Sequence, residues 1–286
     1  MATATKLKLN TMLGDYPITK ALKAGAVRSD LVDLDFVEVK VANNLFKQVV
    51  RDARYDVAEL AIVTYLQAKA CGKPYVLVPA VLVSRGQHHT IAYNPDRGPL
   101  RPSELNGKRV GVRAYTVTTG TWVRRILAGD YGVDINKVEW ITFEDPHVAE
   151  YRDPAVVKRA PEGKELTQML LDGEVAAGIV GDKLPDPRLK HLIPDAEAAA
   201  QKWAEAPPRR PDQTHAGSEA GAVAFTARRG QGHLPPAARE QAGCRPAGRR
   251  RARSLPVRRR GLPAHFGNHH RVLPSAAADT APHVGG

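Results

Sequence analysis

Apolar and polar positions in the first 205 residues switch repeatedly between a period of two and a period near 3.6, which predicts strands alternating with helices. Residues 7–13 alternate as a strand and run into the loop Gly14-Asp15-Tyr16. Residues 19–24 read as a short helix stopped by Gly25, and 31–39 as a second strand with Val32, Leu34 and Phe36 on one face. Helical spacing returns at 44–53 through Leu45, Phe46, Val49 and Val50, and again from about 61 to Ala70 after the segment 55–60. The apolar run 75–83 suits a strand buried on both faces. One more strand is expected at 88–93, followed by a Pro/Gly-rich connection at 94–99.

A second unit of the same grammar follows. Ser103-Glu104-Leu105 caps a short helix, 109–112 is a strand, 116–128 a helix and 137–142 a strand. A helix at 165–171 is closed by Gly173, and a strand at 176–180 leads to Gly181-Asp182. The pattern is that of an α/β chain with largely parallel sheets. It divides into lobe one at 1–90, lobe two at 91–185 and a segment 186–205 returning toward lobe one. A cleft between two such lobes is where a small ligand binds.

Composition changes the picture after residue 205. Residues 206–286 hold 14 Arg, 16 Ala, 10 Pro and 10 Gly and no Lys, Ile, Tyr, Trp or Met. They carry 14 basic against 4 acidic residues, while the first 205 carry 28 against 26. Such an Arg/Ala/Pro/Gly mixture is what GC-rich DNA encodes out of frame. Back-translated and read one nucleotide later, 212–219, 225–241 and 257–282 permit well-patterned apolar or amphipathic segments. A frameshift near 203–212 and a basic, low-complexity, disordered tail are therefore expected. The chain as it stands is then expected to be unstable or inactive.

The excess charge would ordinarily raise nucleic-acid binding. Here the runs Arg249-Arg250-Arg251 and Arg258-Arg259-Arg260 have no interleaved aromatics or reader motif, so no specific nucleic acid is expected. The two cysteines, Cys71 and Cys244, form no metal-ligand cluster or disulfide framework, and Cys71 reads as a small buried apolar residue. No 18-residue apolar run or secretory leader is visible, which predicts a cytoplasmic protein outside the membrane.

Particular residues carry a resemblance. Gly14-Asp15-Tyr16, the segment Tyr55 to Leu60, Arg85 with His88-His89, and Leu105 to Val112 followed by Tyr115, Thr118, Trp122, Val123 and Arg124 resemble the 4,5-dihydroxyphthalate decarboxylase family. The likeness runs from about Leu7 to Trp203, with Arg113-Ala114 and Arg125 departing from the family pattern. It implies a two-lobe architecture like that of type 2 periplasmic binding proteins, with the cleft between lobes. It also implies loss of one carboxyl group from 4,5-dihydroxyphthalate, giving protocatechuate and CO₂. No cofactor is required by that route; a divalent metal and assembly as a homo-oligomer are left open. The alternatives are a non-catalytic solute-binding protein of the same fold and an inactive frameshifted product.

The chemistry needs a base near the ring hydroxyls, an acid over the ring carbon, and cations or N–H groups for the dianion. His88 and His89 are acid–base candidates because imidazole titrates near working pH; on a strand only one would face the cleft. Glu59 is a candidate base. Arg85 could clamp a carboxylate. Tyr115 and Thr118, at a helix start, and Trp122, Asp15 and Tyr16 are candidate substrate contacts. His147 and Asp182 are weaker candidates.

Overall fold

Leu7–Met12 forms strand β1, followed by helix α1 (Pro17–Lys23), β2 (Val32–Phe36), a 3-10 turn (Ala42–Leu45), α2 (Phe46–Asp52), β3 (Val57–Ala61), α3 (Ile62–Ala70) and β4 (Tyr75–Val81). The computed structural model describes residues 6–83, 85–205 and the backbone of 221–226, all belonging to one unit of the chain. β1 is parallel to β2 and β3, so the alternating Leu7, Leu9 and Thr11 register against Val32, Leu34 and Phe36. Met12, Leu60, Val49, Val50 and Tyr75 close the core beside this sheet.

The second lobe opens with a 3-10 turn (His88–Thr90) and β5 (Ile91–Tyr93), then 3-10 turns at Pro95–Arg97 and Pro102–Glu104. It continues through β6 (Arg109–Val112), α4 (Thr118–Asp130), β7 (Glu139–Thr142), β8 (Val157–Arg159), α5 (Leu166–Asp172), β9 (Ala177–Ile179), β10 (Lys190–His191) and α6 (Ala196–Glu205). The strand order is β10-β5-β9-β6-β7-β8. Strands β9, β6, β7 and β8 run parallel, while β5 and β10 add an antiparallel edge. Trp140, Leu105, Val110, Val123 and Leu127 pack its core with essentially no exposure.

The expected α/β class and two lobes are present, with several differences of detail. Six residues of the tail form β11 (Gly221–Thr226), inserted antiparallel between β3 and β4, giving the first sheet the order β2-β1-β3-β11-β4. The rest of the tail, with Cys244, the arginine runs and the frame reading, lies outside the described residues. β4 is the edge strand of this sheet and is not buried on both faces: Tyr75 is buried, but Val76 and Val81 stand 54% and 53% exposed. The strand expected at 88–93 begins only at Ile91. Thr90 donates its N–H and its hydroxyl to the Gln87 carbonyl and closes a turn over both histidines.

The helix expected at Ser103-Glu104-Leu105 is a 3-10 turn already ending at Glu104, whose carboxylate accepts the Arg101 N–H. Segment 186–205 does not yet return: β10 pairs with β5, and Ala199 of α6 packs on the second core. Conversely, after β7 the chain leaves the second lobe and buries Val148 completely in the first-lobe core, with Tyr151 against it. Full burial of a valine stabilises by about 1.5–3 kcal/mol. Arg51 donates to the carbonyls of Pro146 and His147, and Lys73 pairs with Glu150 at 2.6 Å, so this clasp ties the lobes together. Cys71 is half-buried against the first core and is disulfide-bonded, contrary to the expectation that the cysteines form no disulfide.

Candidate functional site

Parallel strands of both lobes end on one cleft of about 490 Å³. Its walls include Tyr16 after β1, Phe46 at the start of α2, and Glu59 and Ala61 of β3. From the second lobe come Arg113 after β6, Val117, Thr118 and Thr119 at the start of α4, His147 of the clasp and Asp182 after β9. Arg85, on the crossing between lobes, completes the wall. Loops at carboxyl ends of parallel strands are where α/β sheets bind ligands. Two helix starts of different lobes are joined where the Val63 N–H of α3 donates to Thr118 Oγ1 of α4 at 3.2 Å.

On the first-lobe side, Glu59 is buried within β3, only 3% exposed. Its Oε2 accepts the Gly14 N–H at 3.0 Å and its Oε1 accepts the Tyr16 hydroxyl at 2.7 Å. Burial, then the bond to Glu59, pushes the Tyr16 phenol well above its ordinary range, so it stays protonated and donates. The Tyr16 ring lies over Gly14 so closely that a Cβ there would sit 2.7 Å from it. Glycine is what lets that loop pass under the ring.

On the clasp, His147 is buried against the first lobe, with its Nδ1 2.8 Å from Thr64 Oγ1 and its ring edge-on to Phe46. Burial first, then the nearby Arg113, Lys47 and Arg51 cations, lower its pKa to about 4. The imidazole is therefore neutral near pH 7 and can accept or donate one proton at the cleft. The two guanidiniums are partly neutralised. Arg113 bonds Glu144 at 3.2 Å, and Arg85 makes a close ion pair with Asp182.

Of the residues singled out by sequence, Glu59, Tyr16, Thr118 and Arg85 line the cleft, as do the weaker candidates His147 and Asp182. Asp15 points away, 76% exposed and paired with Lys23. Tyr115 turns into the second lobe, where the buried Arg124 guanidinium stacks on its ring at 3.8 Å and donates to its carbonyl at 2.8 Å. Trp122 faces α6, its ring 5.8 Å from Trp203. Neither histidine of the pair lines the cleft. His89 stands one residue behind it, Nε2 3.2 Å from Asp182 Oδ1. His88 is buried in a separate pocket beside Trp203. Because both sit on a turn, the opposite-face argument for a strand does not apply to them.

The cleft residues that sequence reasoning passed over are Arg113, which entered only as a departure from a pattern, together with Asn43, Phe46 and Thr119. A basic residue directly after an apolar strand was the available signal for Arg113. Among the described residues no group of three or more His, Cys, Asp or Glu is placed to hold a metal ion, and no helix is long and apolar enough to cross a membrane.

The chain is 34% identical over 216 residues to a 4,5-dihydroxyphthalate decarboxylase of Comamonas testosteroni, covering 70% of this chain and 64% of that protein. It is 34% identical over 213 residues to a 4,5-dihydroxyphthalate decarboxylase of Pseudomonas putida, covering 69% of this chain and 81% of that one. The chain thus spans just under two thirds of the Comamonas protein. No protein-family model matches it. Solved structures similar to it include the alkanesulfonate-binding protein of Xanthomonas axonopodis pv. citri, at 15% identity and TM-score 0.44 over 80% of this chain and 68% of that one. Another is the periplasmic aliphatic sulphonate binding protein of Escherichia coli, at 13% identity and TM-score 0.46 over 78% and 66%.

Proposed function

Because the chain belongs to the 4,5-dihydroxyphthalate decarboxylase family, we propose that its interlobe cleft removes one carboxyl group from a hydroxylated aromatic dicarboxylate, 4,5-dihydroxyphthalate first among them. The observation that carries this reading is that one cleft is lined by two buried titratable groups, Glu59 held by Tyr16 and a neutral His147 with cations nearby. A purely passive pocket has no need of two buried titratable groups.

In 4,5-dihydroxyphthalate each carboxyl has a hydroxyl para to it. Withdrawing that hydroxyl's proton pushes electron density onto the carbon bearing the carboxylate. Protonation there breaks aromaticity, the C–C bond electrons return to the ring, and CO₂ leaves. Glu59 is assigned the hydroxyl side, accepting its proton. Arg113, Arg85 and the first-turn N–H groups of α4 are assigned the carboxylates. His147 is assigned the ring carbon. Burial, and then three cations, keep it neutral in the open cleft. A bound dianion opposes those cations, raises its proton affinity and makes an imidazolium that can protonate carbon. The hydroxyl then regains its proton, so one proton is consumed and one CO₂ released per turnover.

The test is incubation of the purified full chain with 4,5-dihydroxyphthalate, following CO₂ and the ultraviolet change to protocatechuate. Turnover supports the reading. Saturable binding without CO₂ release would make this a solute-binding cleft, and neither would match the inactivity expected from the tail.

A further inference from the structure

A second, smaller pocket of about 190 Å³ shares Arg85 with the cleft and is lined also by Gln87, His88, Trp122, Ala200 and Trp203. Cavities of about 150 Å³ hold one benzene ring. The walls match that guest: Trp122 and Trp203 stand nearly perpendicular with centroids 5.8 Å apart, and His88 is edge-on to Trp203 at 6.1 Å. Aromatic edges and faces so arranged accept a further ring.

Two polar atoms here are left over. His88 and Gln87 are 2% and 3% exposed, and neither His88 Nδ1 nor Gln87 Oε1 has a hydrogen-bond partner. Buried polar atoms are ordinarily satisfied, so an orphaned pair in one pocket points to something that satisfies them. Gln87 Nε2 already donates to the Arg85 carbonyl at 3.3 Å, which leaves its Oε1 able only to accept. Burial holds His88 below its usual pKa and so uncharged. A hydroxyl can either donate to or accept from the neutral ring. Arg85, the charged residue of this wall, is paired with Asp182, so no unpaired charge calls for an anion.

We infer that this pocket is a binding site for one small, uncharged, hydroxylated aromatic ring of the catechol type, its hydroxyls bonded to Gln87 Oε1 and His88 Nδ1. The site is distinct from the cleft and shares with it only Arg85. It stands whether or not the cleft decarboxylates anything.

The experiment is titration of the full chain with catechol, and with its dimethyl ether, followed by tryptophan fluorescence. Two of the three tryptophans line the pocket. Saturable quenching by catechol is expected, at least tenfold weaker for the dimethyl ether, which lacks the donors. Gln87→Leu should weaken catechol at least tenfold and Ala200→Phe should abolish binding by filling the space, while the cleft variant Arg113→Ala should leave it unchanged. No quenching in the unmodified chain, equal binding of the ether, or loss in Arg113→Ala with retention in Gln87→Leu would each overturn the proposal. Should Ala200→Phe fail to fold, Gln87→Leu and the ether decide it.

Discussion

All six strands of the second sheet come from residues 91–191, whereas the first sheet takes four strands from 7–81 and a fifth, β11, from 221–226. The second lobe therefore closes on nearby chain. The first must bring in a strand 140 residues downstream of β4, and places it between β3, which carries Glu59, and the edge strand β4. Long-range pairing is entropically slow and costly to set up. The difference teaches that the cleft groups are divided between the lobes: Arg113 rides on the self-contained lobe, Glu59 and Tyr16 on the dependent one, and His147 on the clasp that packs against the dependent one.

The most direct way to break this comparison is to end the chain at Glu205. Loss of β11 removes the pairing partner of both β3 and β4 along five registered positions each. We expect turnover to vanish and amides of β1–β4 to exchange freely, while those of β6, β7 and β9 remain protected. Hydrogen exchange followed by peptide mass spectrometry checks it. Protection of β1–β3 equal to that of the full chain would show that the first lobe does not need the strand.

A smaller but still large effect tests the division of labour. General acid–base groups contribute about 10²–10⁴-fold. His147→Ala is expected to lower kcat by at least about 100-fold with a lesser change in KM, and Glu59→Gln by a similar order. The CO₂ assay reads both. Retention of more than a third of the activity in either variant would remove that residue from the chemistry.

Much of this arrangement was legible in the sequence, and the failures have physical causes. Period-two alternation found β1 and β2, the second expected to run three residues further than it does; the short apolar stretches at 109–112 and 137–142 gave β6 and β7, which are buried on both faces. Gly173 marked the end of α5 because only the left-handed conformation, φ 75°, lets the chain turn there. β8 (Val157–Arg159) was missed since three residues, two of them basic, carry no period. β11 was hidden in a segment whose composition argued against any packed structure. β4 was misjudged because an apolar run reports composition and not position in the sheet. The Thr90 bonds that make a turn of His88 and His89, one from its N–H and one from its hydroxyl to the same carbonyl, are invisible to periodicity. His147 was ranked low since only burial of Val148 in the other lobe brings it to the cleft, a contact no local pattern encodes.

Acidity offers a third test, specific to the clasp. With its folded pKa near 4 against an ordinary 6.5, His147 is protonated more readily in the unfolded chain. Its contribution to stability is fully present above about pH 6.5 and is lost as pH falls toward 4. The loss is at most roughly 3 kcal/mol for a shift of this size. Urea midpoints should therefore fall over that window in the parent and fall less in His147→Gln. A parallel decline in both would place the acid sensitivity elsewhere.

The smallest expected effect sharpens the comparison at the level of a single cap. Helix α5 in the second lobe ends at Gly173, whereas α2 in the first lobe ends at Ala53 in the same left-handed region, φ 49° and ψ 40°. A Cβ in that region meets the adjoining carbonyl and costs about 1–2 kcal/mol, partly offset because glycine loses more entropy on folding. Ala53→Gly should thus stabilise the first lobe by about 0.5–1 kcal/mol. α2 also donates Arg51 to the clasp, so the gain should appear as slower exchange of the α2 and β3 amides with no change in β6 or β7. Equal slowing in both lobes would mean that they unfold as one unit, and that β11 and the clasp together erase the independence the strand order suggests.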